Sequence, residues 1–428
     1  MPGPLDGISV VDFTADVAGP YGTMMLAEMG ADVLKVEPIN GGDHWRRHQP
    51  LVPHESRYFL GVNRGKRSIA LRHDCPEGRE IVERLVAAAD VVVLNYRPSV
   101  ARDFGLDYES LSRIRPDLIY CNITAFGEAG PFAGRPGFDL LVQALAGIMD
   151  FERKVDRGVP IGITTFAPAD LSAGMFVAFA IASALYRRER TGEGQKIDTS
   201  LFASAIAIQY RPTLGVEAFD REQREQTLEA LNAARDAGAA YTDLLELRTG
   251  LGLQRAAALY YRVYQTKDAL IAVACLNNRQ RRNLRDAIGL DDPSIDGAVF
   301  EATPAQALEE HEAKMARFED VFRQRTTDEW LELLAEADVP CVPVALTEEI
   351  FDHPQVKAND LMYSLEHPLV GEVRQPRPPI RMNNAEVGRA KVAPLFSADA
   401  RDVLASLGYR DEQIRALREQ GVVFLRDD

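Results

Sequence analysis

A carboxylate that opens a long apolar run is the chemically most suggestive feature of this sequence. Asp170 follows Ala167-Pro168-Ala169, and from Leu171 to Tyr186 every side chain is apolar or small. Two roles are open to it. As a helix cap, its oxygens accept the free backbone N–H groups of the first turn, a place where Asp is among the preferred residues. As a nucleophile it attacks an activated acyl carbon, with Ala173 and Gly174 leaving room for a bulky group. The stretch alone does not choose between them.

The other reactive side chains form weaker patterns. His44 and His48 have the spacing of a metal pair, but their segment is not clearly helical and no further ligand confirms it, so no metal is expected. The serines lack a GxSxG elbow. Cys75, Cys121, Cys275 and Cys341 stand far apart without a CxxC, which gives neither a zinc site nor a disulfide framework and fits a reducing cytoplasm. The run Gly61 to Arg67 brings three cations, Arg64, Lys66 and Arg67, and two glycines just ahead of a strand. With Arg46, Arg47, Arg72, Arg97 and Arg102 they could form a basic pocket for phosphates in an otherwise acidic protein.

The elements that would position these groups read as alternating strands and helices. Ile8 to Phe13 is a buried strand, Pro20 to Met29 a helix closed by Gly30, and Asp32 to Glu37 a second strand, which is a βαβ unit and implies parallel pairing. The loop from Thr14 to Pro20 is not a GxGxxG fingerprint, which argues against a dinucleotide dehydrogenase. Strands at Arg67 to Leu71, Val91 to Leu94 and Leu118 to Phe126 continue the pattern, with helices at Pro76 to Ala89, Asp107 to Ile114 and Phe138 to Met149. The prediction is an α/β fold with a doubly wound, mostly parallel, Rossmann-like sheet, where ligands lie off the carboxyl ends of strands.

After Ser204 the pattern changes. Glu217 to Arg262 is charged and Ala-rich and reads as helical; Leu270 to Ala274 is a strand; Asn278 to Ile288, Pro304 to Arg325 and the stretch opened by the capping box at Thr326 are helices. Val339 to Ala345 is a strand, Met362 to Arg374 a hairpin across Val370-Gly371, and Ala398 to Leu407 and Asp411 to Glu419 closing helices. The predicted plan is a large domain over 1–205, a linker over 206–224, a small α+β domain over 225–330, and a return linker and C-terminal segment over 331–428 that packs on the large domain.

The bulk properties bound the function. The 428 residues suggest roughly two to three domains. A formal charge of −15 argues against nucleic acid or an anionic membrane as the main partner. The N-terminal stretch lacks the basic and apolar regions of a signal peptide. Leu171 to Tyr186, at 16 residues, falls short of the roughly 20 a bilayer requires and reads as a buried helix covered on every side.

Taken in order, several stretches resemble the class III CoA-transferases, also called the CaiB/BaiF or formyl-CoA transferase family. Ala18-Gly-Pro20 with Leu26 to Pro38 is similar to that family's first βαβ unit. Asn63 to Ser68, Phe126-Gly127 with Gly130-Pro131, Arg135 to Asp139, Thr191 to Gln195 and Ala337 to Pro343 follow in the same order. The resemblance implies that Asp170 is the nucleophile. It would attack an acyl-CoA thioester to give a mixed anhydride and then an aspartyl-CoA thioester, from which an acceptor carboxylate takes the CoA. It further implies CoA contacts at Ala18, Leu71, Arg72, Asn95, Tyr96, Arg97, Phe138 and Asp139, no tightly bound cofactor, and a homodimer of two interlocked chains. Two departures stand out. Position 103 is acidic where relatives often carry a cation, and the glycine run that in some relatives closes over the aspartate has no clear match, Gly250 and Gly252 being the only candidates. Two other functions compete. An α-methylacyl-CoA racemase needs a histidine at the position of Phe138, which has no proton to exchange; a non-catalytic acyl-CoA-binding protein leaves the Asp170 stretch unexplained.

Overall fold

A computed structural model describes residues 1–250, 259–292, 308–388 and 391–426. They divide into two compact units: Met1–Gly215 with Pro354–Asp428, and Val216–His353.

The first unit is built on a seven-stranded sheet. Its strands in chain order are β1 (Ser9–Asp12), β2 (Asp32–Pro38), β3 (Arg67–Leu71), β4 (Val91–Leu94), β5 (Ile119–Thr124) and β6 (Gln195–Ser200). All pair in parallel. The C-terminal strand Val423–Phe424 adds antiparallel to β3 and closes that edge, a two-residue element too short to leave a sequence pattern. From that edge the order runs β3-β2-β1-β4-β5-β6. The order reverses between β1 and β4, and in such sheets the crevice outside those two carboxyl ends is where ligands bind.

The strands β1, β3, β4 and β5 are mostly apolar because both faces of the sheet are covered there, whereas the edge strand β6, Gln195–Ser200, alternates half-buried and exposed residues. Alternate residues point to opposite faces: Val11, Val36, Ile69 and Val92 meet Ile81 and Val86 of α2 (Pro76–Ala88), while Val10, Val33, Val91 and Val93 meet Leu26 of α1 (Ala18–Glu28) and Val177 and Ile181 farther along the chain. Two shorter differences follow from glycine and proline chemistry. The helix expected from Phe138 to Met149 breaks at Gly147, whose φ of 78° lies in the left-handed region, leaving α3 as Asp139–Leu145 and a separate turn at Ile148–Glu152. The long apolar helix, α4, spans Pro168–Thr191, entered by Pro168 and stopped by Gly192 at φ 73°.

At 24 residues α4 exceeds the expected length, and by length and composition alone it could cross a bilayer. The apolar stretch is only half buried, so it is not covered on every side: Phe176, Phe179 and Tyr186 are exposed, and Phe179 reaches 72%. Its buried face packs on α1. There a Cβ added to Gly174 would stand 2.7 Å from the Ala18 carbonyl oxygen, and one added to Gly22 would stand 2.8 Å from the Gly174 carbonyl oxygen. Gly174 therefore makes room for the backbone of α1, not for a ligand as the sequence suggested.

The second unit, Val216–His353, carries a three-stranded antiparallel sheet of β7 (Tyr261–Gln265), β8 (Leu270–Ala274) and β9 (Cys341–Pro343). Against it pack the aromatic side chains Phe318, Phe322 and Trp330, with Tyr264 stacked on Phe322 at 4.3 Å. The charged stretch read as helical to Arg262 forms helices Glu217–Asp236 and Tyr241–Gly250, and at its end turns into β7. Gly250 ends the second of these helices; Gly252 and the start of the helix expected at Pro304 lie outside the described residues. The capping box at Thr326 forms with Glu329.

Candidate active site

Five of the nine site residues expected from the sequence meet at one cavity. Ala18, Asn95, Phe138, Asp139 and Asp170 line a space of about 420 Å³ off the carboxyl ends of β1, β4 and β5, at the reversal of strand order. Tyr96 lines a second space of about 250 Å³ off β1 and β2. Arg72 and Arg97 are exposed just beyond β3 and β4. Leu71 is fully buried, so only its backbone could reach a ligand.

Asp170 sits in the first turn of α4, two residues after Pro168, and its carboxylate is not the cap. Asp139 takes that role. Its Oδ1 accepts hydrogen bonds from the backbone N–H of Ala169 at 2.7 Å and of Asp170 at 3.2 Å, and its Oδ2 accepts one from Gln143 Nε2. The Gln143 amide also donates to the Ile163 carbonyl and accepts from the Ile163 N–H, pinning the strand-like approach to α4 onto α3. With the helix donors occupied by a neighbour, no hydrogen bond from the described residues holds the Asp170 carboxylate. Burial pushes Asp170 up to about 7, and the nearby carboxylates of Asp139 and Asp16 push the same way. The helix N-terminus thus does not keep this carboxyl in the ordinary acidic range.

The loop after β1 forms the opposite wall. Asn95 clamps it, accepting from the Ala15 N–H at 3.0 Å and donating to the Ala15 carbonyl at 2.8 Å. Asp16 adopts φ 69°, uncommon for a side chain other than glycine, and its carboxylate accepts from Trp45 Nε1 at 2.7 Å and pairs with His44. Neither Asp16 nor Trp45 was singled out from the sequence; only the aromatic residue within the His44 to His48 segment offered a hint.

The expected basic pocket is not built from all of its cations, because Arg46, Arg64 and Lys66 turn inward and Arg67 pairs at the surface. Lys66 donates to Asp12 at 2.9 Å, and Lys35 reaches the Thr14 carbonyl at 2.7 Å and Asp43 at 3.0 Å. Arg46 makes a fork with both oxygens of Glu37, Arg64 pairs with Glu28, and Arg67 pairs with Asp32. Burial alone raises Asp12, yet Lys66 and Lys35 hold its carboxyl well below the usual range. These buried pairs brace the floor beneath residues 14–18. Arg47, Arg72, Arg97 and Arg102 remain exposed. Beside the last three, Tyr96, His73 and Phe104 form an aromatic patch, with His73 and Phe104 4.7 Å apart. Among the described residues no group of three His, Cys, Asp or Glu stands close enough to hold a metal.

A family model described as CoA-transferase family III matches residues 5–400. The chain belongs to CoA-transferase family III. It is 31% identical to the succinyl-CoA:glutarate CoA-transferase of Homo sapiens, over 98% of this chain and 90% of that protein. The acetyl-CoA:oxalate CoA-transferase of Acetobacter aceti is 32% identical over 89% and 90%. Among solved structures, a CAIB/BAIF family protein from Brucella suis superposes with a TM-score of 0.73 at 32% identity, covering 95% of this chain and all of that one. The mixed α/β architecture with its mostly parallel sheet is that of this CoA-transferase family.

Proposed function

We propose that this CoA-transferase moves CoA from an acyl-CoA to a small carboxylic acid through covalent intermediates on Asp170. An Asp170 oxygen attacks the thioester carbon, forming an aspartyl–acyl anhydride and releasing CoA thiolate. The thiolate attacks the aspartyl carbonyl, leaving an aspartyl-CoA thioester and the donor carboxylate. The acceptor carboxylate displaces CoA from Asp170, and the thiolate returns to the acceptor's acyl carbon, restoring the free carboxylate. The observation that carries this reading is the freedom of Asp170. The helix N–H groups beside it are taken by Asp139, so among the described residues no hydrogen bond competes for its oxygens at the cavity.

Ala18 and Phe138 border the acyl end of the bound ester, with Asn95 and Asp139 holding the loop and helix in place. Tyr96, Arg72, Arg97 and the Leu71 backbone serve the nucleotide end, where aromatic faces and exposed guanidinium groups suit a base and phosphates. No tightly bound cofactor is part of this scheme. The exposed apolar face of α4, with Phe176 and Phe179, supports a homodimer, to be read by sedimentation as a mass of two chains. Four free cysteines fit a cytoplasmic setting.

Racemisation is disfavoured by Phe138, which lines the cavity without a proton to give. Asp170→Ala is expected to abolish CoA transfer while acyl-CoA binding, measured by calorimetry, changes by less than about tenfold. An active Asp170→Ala enzyme would refute the nucleophile.

A further inference from the structure

One buried amide holds both the chain that enters α4 and the residue that caps it. Gln143 lies on α3, one turn after Asp139, and is fully buried. Its Nε2 donates to Asp139 Oδ2 at 2.5 Å and to the Ile163 carbonyl at 2.9 Å, and its Oε1 accepts from the Ile163 N–H at 2.8 Å. The two ends of this amide are not interchangeable: a flip would set Oε1 against a carboxylate oxygen and Nε2 against an N–H. The chain is drawn in so closely that a Cβ added to Gly162 would stand 3.1 Å from Gln143 Oε1 and 2.9 Å from Leu140 Cδ1.

Ile163 stands on the approach to α4, along which Thr164, Ala167 and Asp170 line the cavity. Asp139 Oδ1 holds the first turn of the same helix through the N–H groups of Ala169 and Asp170. Both holds end in Gln143, whose two N–H donors are engaged by them. We infer that Gln143 is a positioning residue for Asp170, an inference that rests on the reading of Asp170 as nucleophile. It fixes the rotation of the Asp139 carboxylate and the entry of the chain into α4, and through them the place of the attacking oxygens. The effect falls on the chemical step, where a misplacement of about 1 Å can cost roughly a hundredfold in rate. Charge enters as well: Asp170 faces Asp139 from α3 and Asp16 from the loop after β1, and Asp16 is itself paired with His44 and Trp45. A carboxyl at position 143 would set a further acidic group beside Asp139 and favour the protonated forms of the set.

Single-turnover labelling tests this. Wild type, Gln143→Met and Gln143→Glu are mixed with succinyl-CoA or acetyl-CoA, whichever labels the wild type faster, and the hydroxamate formed on Asp170 with hydroxylamine is followed by mass spectrometry across a range of pH. Gln143→Met is expected to label about tenfold or more slowly at saturating ester, while the half-saturating concentration changes by less than about threefold. Gln143→Glu is expected to move the pH midpoint of labelling upward by about half a unit or more. Should Gln143→Met fail to fold, Gln143→Glu, which keeps the shape of the side chain, decides alone. Wild-type labelling rates with an unmoved midpoint, whether or not the urea midpoint falls, mean that Gln143 only stabilises the fold and overturn the inference. CoA transfer by the wild type with no adduct on Asp170 overturns the nucleophile reading instead.

Discussion

Two carboxylates divide the work that one was expected to do. Asp139 reaches from α3 to cap α4, and Asp170, spared that duty, keeps its oxygens for chemistry. The cost is a raised proton affinity, since burial, Asp139 and Asp16 lift Asp170 to about 7. An acid raised in the folded state favours its protonated form there. The stability it contributes is complete below its unfolded value and is lost as pH rises through about 7. The reactive carboxylate gains over the same window, so kcat/KM for the acyl-CoA is expected to climb between about pH 6 and pH 8 with a midpoint near 7. A profile flat from about pH 5 to pH 9 would show that this titration does not govern attack. Asp170 was legible because a proline and an apolar run frame it. Asp139 was named only as a CoA contact, and its capping of α4 was not legible, because it lies 31 residues earlier and only the folded chain brings the two together.

At the scale of elements, α1 and α4 carry the two walls of the cavity and meet where glycines let their backbones touch. Gly174→Ala would drive a methyl group to within 2.7 Å of the Ala18 carbonyl oxygen. The helices must then part, and Ala18 and Asp170 shift with them. The expected loss is about 1–3 kcal/mol of stability in urea titration, with activity falling alongside. Unchanged stability and activity would mean that the close approach has no role in setting the site. Here the sequence misled in an instructive way. A small residue beside a candidate nucleophile signals free space, but not which neighbour fills it. The basic run from Arg64 to Arg67 raised the same problem: cations before a strand looked available to phosphates, whereas Lys66 and Arg64 end in buried pairs with Asp12 and Glu28. A charge pattern alone does not tell which side chains point inward.

For the molecule as a whole, β1 to β5 were readable from their apolar runs, since both faces of the sheet are covered there, whereas β6 was missed because Gln195–Ser200 is polar and half exposed. The strand order was not stated by any run, and it is the order that opens the crevice between β1 and β4. β7 escaped notice because Tyr261 to Gln265 follows a long helical, charge-rich stretch and its alternation spans only five residues. Both units depend on pairings far apart in sequence, including the closing strand near the C-terminus that completes the edge of β3. The whole mechanism turns on covalent capture at one carboxyl group. Its most direct test is to mix the enzyme with an acyl-CoA, quench within one turnover, digest, and map the modified peptide by mass spectrometry with hydroxylamine or borohydride trapping. The label is expected to fall on Asp170 and to vanish when acceptor acid is added. Turnover with no adduct on Asp170, or with the label on another side chain, would contradict the mechanism.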